Sequence, residues 1–570
     1  MIRVMSTQTT AVHTDSTVPT PDVTWDAPNP GPWLLDAVHW PNGVAPIVAD
    51  LYPALLTQGF GESFRRWGLL LDTVAFASIN GFLYLQPQPF DRPGPDGPPT
   101  AEWLGSEVER RTGIAGDVLA TKAWREVMER WDADVKPAAV ARHRELGDVD
   151  LRALDDDGLR AHLDECVAHL ADMVLQHHRF NADATMLPSD FALQVGAWLG
   201  EDPDSFLGVF DDYSPASGIV SPELAPAIDG LRSAPAADPL LHGDAEPAQR
   251  LRQLRDLVPA VDEYVRSIGF RLVDGLDIRY LTTIECPELI LGRLASGQTV
   301  DADRARRRAD AFADAIRTRL SPEHREAFDE LLAEARLVYR LRDERALYSD
   351  ISALGLLRLA LLEAGQRLAD RGALAAVEHV LELDRSEIMD LLRGASAPSA
   401  GDIAGRVARR DEIRAQGAPI QLGPPPPEPP PVDQLPPPLA RVMGAMGYAI
   451  DGLFGQLDEA DGDDTRIGGI PAGMGTHEGR VLIVRSAADL LELEPGDVLV
   501  SRTTGEGINS TLHLIGAIVT DHGGVASHAA IVARECGFPA VVGTTNATHR
   551  LRNGQIVRVD GTTGEVRVLS

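Results

Sequence analysis

A β-branched run, a two-glycine turn and an apolar helical stretch follow one another in "GAIVTDHGGVASHAAIVAREC", Gly516 to Cys536, with Gly537 behind them. That order predicts a strand, a tight turn and a helix that ends at a C′ glycine, which is one unit of an α/β domain. The flanking runs "GRVLIVRS", "GDVLVSR", "PAVVG" and "QIVRVDGTTGEVRVL" are short, β-branched and punctuated by glycine, so a small α/β domain is expected over 466–570. Gly523 and Gly524 can turn the backbone tightly and present N–H groups, and the helix N-terminus adds unpaired donors and partial positive charge. Such a place suits a phosphoryl group. His528, on the first turn, would stand beside it with a neutral, nucleophilic ring. Ser527 is a donor to phosphoryl oxygens, and Arg534 becomes a charge partner if it folds back toward the loop. A histidine that merely caps or packs is the other reading of the same residues.

Upstream the pattern is mostly helical from about residue 101 to 395. Leu159, Leu163, Val167, Leu170 and Val174 recur at three or four and predict one buried stripe. Leu347, Ile351, Leu354, Leu361 and Leu368 do the same, with Gly372 as the stop. The expected fold class is therefore multidomain, a large mostly α-helical substrate-binding domain followed by a small α/β domain. The expected boundaries are a disordered tail over 1–24, a helical acceptor-binding domain over 25–400, a proline-rich and acidic linker over 401–465, and the α/β domain over 466–570. "LGPPPPEPPPVDQLPPPLA" favours extended polyproline II, and "LDEADGDDTRIGG" lacks the register of a calcium loop.

Charge and composition exclude several classes. A formal net charge of -32 repels a phosphate backbone, so no nucleic-acid partner is expected. Lysine occurs only at Lys122 and Lys136, neither in a phosphate-binding glycine loop, so the chain is poorly equipped to bind ATP itself. Cys166, Cys286 and Cys536 lie far apart, which argues against disulfides and thiolate zinc, and no metal site is expected. No membrane span or secretory leader is evident, so a cytoplasmic location is expected.

The string around His528 resembles the active-site signature of the swivelling phosphohistidine domain of phosphoenolpyruvate-utilising enzymes. The resemblance spans about 100 residues and includes "GGIPAGMGTHEGRVLIV", "LEPGDVLVSRTT" and "LRNGQIVRVDGTTGEV". It implies that His528 is the phosphorylated residue, that Gly523 and Gly524 are the family's glycine pair, and that Thr520 is its loop threonine. One segment departs: where many relatives carry an Asp/Pro/Trp-containing stretch after the position of Thr503, this chain has "TGEGINSTLHLIG". The helical part resembles, more weakly, the substrate-binding domain of rifampin phosphotransferases, through "RLRDERALYSDISALGLLRLALLEAGQRLADRG" and "VHWPNGVAPIVADLYPALL". The order of the two parts, with the sequence ending at Ser570, resembles the histidine-bearing subunit of phenylphosphate synthase and of 4-methylphenyl-phosphate-forming systems.

That resemblance implies a two-component phosphotransferase. A separate ATP-grasp subunit holding ATP and Mg²⁺ would charge His528 with the β-phosphoryl, releasing AMP and phosphate. The phosphoryl would then pass to a small hydroxylated acceptor, expected to be phenolic. A rifampin-like antibiotic phosphotransferase and a carrier in a protein phosphorelay are the alternatives. For the acceptor side, His177 and His178 are base candidates and Arg342 and Arg345, three apart on one helix, are a candidate phosphoryl clamp. Trp33, Trp40, Trp67 and Tyr348 are candidate aromatic walls, core packing being the common alternative.

Overall fold

The computed structural model describes residues 23–93, 97–211, 213, 222–273, 275–297, 302–395, 398–426, 431–454, 466–485, 487–505, 508–509, 511–525 and 527–569. The expected tail falls outside these except for Val23, which packs on a small aromatic cluster, and Thr24, whose carbonyl accepts from Asn80.

The helical part is built on the predicted stripe. Helix Asp156–Arg179 buries Leu159, Leu163, Val167, Leu170 and Val174 between helix Pro46–Trp67 and helix Asp350–Asp370. Each such leucine or valine contributes roughly 1.5–3 kcal/mol relative to exposure. The second predicted stripe is also buried, but its helix is broken: one helix runs Leu341–Leu347, and the next starts at Asp350 after the bend at Tyr348–Ser349. Helix Asn181–Leu199 forms a second core with helices Pro322–Tyr339 and Pro437–Phe454.

The helical part also carries a small sheet, and one part of the sequence expectation is corrected by it. "SINGFLYLQ" is half of a long hairpin, β2 (Leu71–Ile79) and β3 (Phe82–Pro89), turning at Asn80 and Gly81, both at positive φ (50° and 80°) as a two-residue hairpin turn needs. Strand β1 (Trp33–Leu35) pairs with β3 on one side and with β4 (Gln421–Leu422) on the other. The 401–465 region is therefore no free linker over most of its length. Helix Ala400–Gln416, β4 and helix Pro437–Phe454 are built into the helical body, the last through buried Leu439, Val442, Ala445 and Met446. The prolines at its start sit where a missing N–H costs nothing, and the three-four spacing behind them makes the apolar face. Residues 455–465, with the acidic loop, lie outside the described residues.

The C-terminal α/β part has an eight-stranded sheet among the described residues, in the order β5 (Arg466–Gly468), β12 (Glu565–Val568), β11 (Ile556–Asp560), β7 (Thr476–Val484), β8 (Asp497–Ser501), β9 (Ile515–Thr520), β10 (Ala540–Val542), β6 (Ile470–Gly473). Strands β7 to β10 run parallel, and β8 is buried along its whole length, which explains its unbroken apolar run. Helix His528–Cys536 is the crossover from β9 to β10, closed by Gly537 in the left-handed region. Ser501 and Thr520 are register partners at the ends of β8 and β9. The loops that follow them therefore leave the sheet side by side, at the edge where α/β sheets bind ligands.

No helix among the described residues is long and apolar enough to cross a membrane.

Candidate active site

The loop from Asp521 to Ser527 is pinned on both sides. Asp521 N and His522 N donate to Ser501 and Arg502 carbonyls after β8, at 3.0 and 2.9 Å. On the other side the Asp521 carboxylate accepts from Thr548, and Thr545 N donates to the Asp521 carbonyl at 2.8 Å. Gly523 has φ 112°, and a Cβ there would lie 2.8 Å from Ser527 Cβ. The glycine is a steric requirement at this position.

This frame fixes His528. Its Nδ1 lies 3.1 Å from Thr504 Oγ1 and its Nε2 2.9 Å from Asn509 Oδ1. Ser527 is the N-cap residue, yet its hydroxyl makes no cap bond and is buried without a partner among the described residues. Arg534 does fold back: its Nη1 donates to Val525 O at 2.8 Å, tying the helix's last turn to the loop. Thr520 is placed differently from the phosphate-binding role its motif position implies. It is fully buried and its hydroxyl donates to His522 O at 2.9 Å, so it fastens the loop instead of facing a ligand.

The α/β part lies against the helical part. Thr503 donates to Val38 O at 3.1 Å, Arg502 to Pro41 O at 3.3 Å and Arg308 to Glu535 O at 3.3 Å. Val273, Cys286 and Leu289 join the apolar cluster beneath the sheet. Between the two parts lies a cavity of about 1870 Å³. Gly523, Ser527, His528 and Arg534 line it from one side, and His177, His178, Arg342 and Arg345 from the other. Gly524 and Thr520 are not among the lining residues. Of the aromatic candidates only Trp40 reaches the cavity; Trp33 and Trp67 are fully buried in the cores, and Tyr348 packs beside the second core.

His177, in the last turn of helix Asp156–Arg179, meets the first residue of helix Asp350–Asp370, with Nδ1 at 2.9 and 2.8 Å from the two Asp350 oxygens. Burial, aided by the Arg345 charge, holds the His177 ring well below the usual histidine range, and burial pushes the Asp350 carboxyl up to about 7. Both groups are driven toward their neutral forms. With Nδ1–H donated to Asp350, Nε2 of His177 keeps its lone pair. His178 stacks on His177 with ring centroids 4.4 Å apart and donates Nδ1–H to Val174 O at 2.8 Å. Arg342 pairs with Asp343 at 2.7 Å, while its Nε meets no acceptor among the described residues.

Three residues escaped the sequence reading. His39, also on the cavity, holds its Nδ1 at 2.9 Å from both Asp36 oxygens, a second imidazole–carboxylate pair. Its neighbours Val38 and Pro41 are the acceptors that receive the α/β part's hydrogen bonds. Thr504 and Asn509 grip His528, and both come from the stretch after β8 in which the chain departs from the family pattern. Among the described residues no group of three or more His, Cys, Asp or Glu is placed to share a metal ion.

Comparison with known proteins covers the segment that bears His528. Residues 493–564 match the family model of the PEP-utilising enzyme, mobile domain. The rifampicin phosphotransferase of Streptomyces sviceus is 28% identical over 505 residues, covering 84% of this chain and 52% of that protein. The uncharacterized phosphotransferase YvkC of Bacillus subtilis is 29% identical over 324 residues, 55% of this chain and 37% of that protein. The probable phosphoenolpyruvate synthase of Pyrococcus abyssi is 41% identical over 111 residues, 20% of this chain and 14% of that protein. The chain thus spans about half, or less, of the length of these curated relatives. The resemblance read from the residues around His528 is that of the PEP-utilising enzymes, and the rest of the chain is similar to rifampicin phosphotransferase.

Proposed function

We propose that this chain of the PEP-utilising enzyme family is the acceptor-binding and phosphohistidine portion of an ATP-dependent phosphotransferase. His528 takes the β-phosphoryl of ATP from an ATP-grasp protein, with ATP and Mg²⁺ bound there, and passes it to a hydroxyl held in the cavity. The observation that carries this reading is that His528 and the His177–Asp350 pair line the same cavity from opposite sides. Both lysines are engaged with carboxylates, Lys122 with Glu330 and Glu334 and Lys136 with Glu344, which agrees with ATP being held elsewhere.

Charging breaks the P–O bond between the β-phosphorus and AMP and forms a P–N bond on the ring of His528; water then cleaves the β–γ link, releasing phosphate and leaving the β-phosphoryl on the ring. The α/β domain then swings from the ATP-grasp site to the position it occupies here. In the second transfer the P–N bond breaks, a P–O bond to the acceptor forms, and the acceptor proton goes to Nε2 of His177. Arg342 and Arg345 offset the charge on the transferring group, since phosphoryl transfer depends on positioning and neutralisation.

The cavity bears on the acceptor. Its wall includes Phe60, Phe64, Phe76, Phe210, Tyr339 and Met446. Its volume exceeds the roughly 300–1,000 Å³ that suits a drug-sized ligand. A phenol, the acceptor expected from the sequence, would fill a small part of that space. The reading favoured is therefore a large, mostly apolar, hydroxylated acceptor, in keeping with the name of the Streptomyces sviceus relative.

The test is to charge the protein with β-labelled ATP and the ATP-grasp protein encoded nearest to it, then add phenol, 4-methylphenol or rifampicin. A labelled phosphate monoester should form as label leaves His528, with the large acceptor most effective. Loss of label to water alone with every acceptor, or ester formation on His528→Ala, would sink the proposal.

A further inference from the structure

We propose that Asn509 is a positioning residue for the phosphoryl relay: it holds the uncharged ring of His528 by Nε2 and, after a half-turn of its carboxamide, donates Nδ2–H to a phosphoryl group carried on that nitrogen. The inference rests on the phosphohistidine reading above and adds to it a residue outside the glycine-serine-histidine string.

Three observations converge. Asn509 Oδ1 is 2.9 Å from His528 Nε2, the only ring nitrogen not already taken by Thr504. Asn509 is 5% exposed, and its Nδ2 meets no acceptor among the described residues. Ser527, 7% exposed and next to His528 in the chain, has a hydroxyl equally without a partner among the described residues. A buried donor left unsatisfied costs about 1–3 kcal/mol, and such groups are rare in folded proteins. One stands on the residue that holds the ring and the other on the residue before His528, beside Gly523, so the site offers two spare donors. A phosphoryl group, whose oxygens only accept, is the ligand chemistry they fit.

The amide is suited to both states of the ring. In the arrangement seen here Nε2–H donates to Oδ1, and Thr504 donates its hydroxyl proton to Nδ1. Charging at Nε2 needs that lone pair, so the ring proton must reside on Nδ1, where Thr504 Oγ1 accepts it. A half-turn then presents Nδ2–H to Nε2 and afterwards to a phosphoryl oxygen. Charging breaks the donor's P–O bond and forms P–N, with the ring proton remaining on Nδ1. A carboxylate at this position would accept only; it would hold the proton on Nε2 and repel the incoming anion.

Phosphoramidate, which phosphorylates histidine without a protein partner, tests this on the full chain. Phosphorus NMR separates the two ring positions, and His528→Asn gives the background from other histidines. The wild type should charge at Nε2 of His528. Asn509→Asp should charge at least tenfold more slowly, and Asn509→Ala should charge at mixed ring positions with a phosphohistidine lifetime several-fold shorter. Thermal melting of each variant separates these effects from unfolding, and Asn509→Ser, which keeps a short donor and acceptor, should recover part of the Nε2 selectivity. If both the Asp and Ala variants melt like wild type and charge with its rate, position and lifetime, the role of Asn509 is overturned. If the wild type itself shows no His528-dependent signal, the phosphohistidine reading fails first, and the inference with it.

Discussion

Nδ1 of His177 lies within 2.9 Å of both carboxylate oxygens of Asp350, in a buried pair at the edge of the interdomain cavity. Because burial holds His177 well below its usual range, the ring is neutral and able to accept a proton at physiological pH. His177→Gln and Asp350→Asn should each lower transfer to the acceptor by about 10²–10⁴-fold. Charging of His528 should stay within a factor of two of wild type, so rapid-quench assays of the two steps separate the roles.

Asp350 sets the pH dependence of that transfer. Its carboxyl is pushed up to about 7 by burial, opposed by its charged neighbours, so below this pH the carboxylate that orients His177 is lost. The transfer rate should rise through pH 7 and level off above it. Stability runs the other way. A folded pKa raised above the ordinary aspartate value of 3.8 favours the fold fully below 3.8, and that advantage is lost as pH rises toward 7. Asp350→Asn should therefore raise the melting temperature more at pH 8 than at pH 5.

Ser527 distinguishes a ligand donor from a helix cap. Its hydroxyl makes no cap bond, so Ser527→Ala should cost less than the ~1 kcal/mol typical of removing a cap, read by urea unfolding. Charging or transfer should nevertheless fall by roughly 10-fold or more, as expected for the loss of one donor to a developing anion.

Gly523→Ala should be costly in both respects. Its φ of 112° disfavours any side chain, and the added Cβ meets Ser527 Cβ and Oγ at 2.8 and 2.9 Å. We expect a loss of about 1–3 kcal/mol and near-complete loss of charging, measured by calorimetry and by acid-labile label.

Away from the site, His143 and His169 face each other inside the helical body with ring centroids 4.9 Å apart. Burial pulls them down to about 3 and about 4 respectively, from the ordinary histidine value of 6.5. Lowered folded values mean that the fold favours the neutral rings, a contribution present above pH 6.5 and lost as pH falls toward 4. Stability should drop by on the order of 3 kcal/mol or more over that range. His143→Gln/His169→Gln should flatten the slope in a series of denaturant melts.

What was legible in the sequence was local. The helix starting at His528 and ending at Gly537 and the stripe from Leu159 to Val174 are written in consecutive residues, because periodicity and turn chemistry act over a few positions. The return of Arg534 to Val525 lies within one helix length and was foreseeable as a condition. The pairing of Trp33 with Leu422, the seat of helix Pro437–Phe454 and the grip of Thr504 and Asn509 on His528 depend on contacts between distant residues. Proline density masked the first two, since it signals extended chain wherever it occurs. His39 stood among aromatic and proline residues with no period, and only the fold shows that Asp36 holds its ring. The tryptophans gave no signal of place, because cores and pockets both use them.

The central claim is that a phosphoryl group passes through His528. The most direct measurement is acid-labile label from β-labelled and γ-labelled ATP on the wild type and on His528→Ala, with and without the ATP-grasp protein. The account predicts β-label on the wild type only when that protein is present, and none on His528→Ala. Label on the alanine variant at the wild-type level, or no label on the wild type under any pairing, would contradict it.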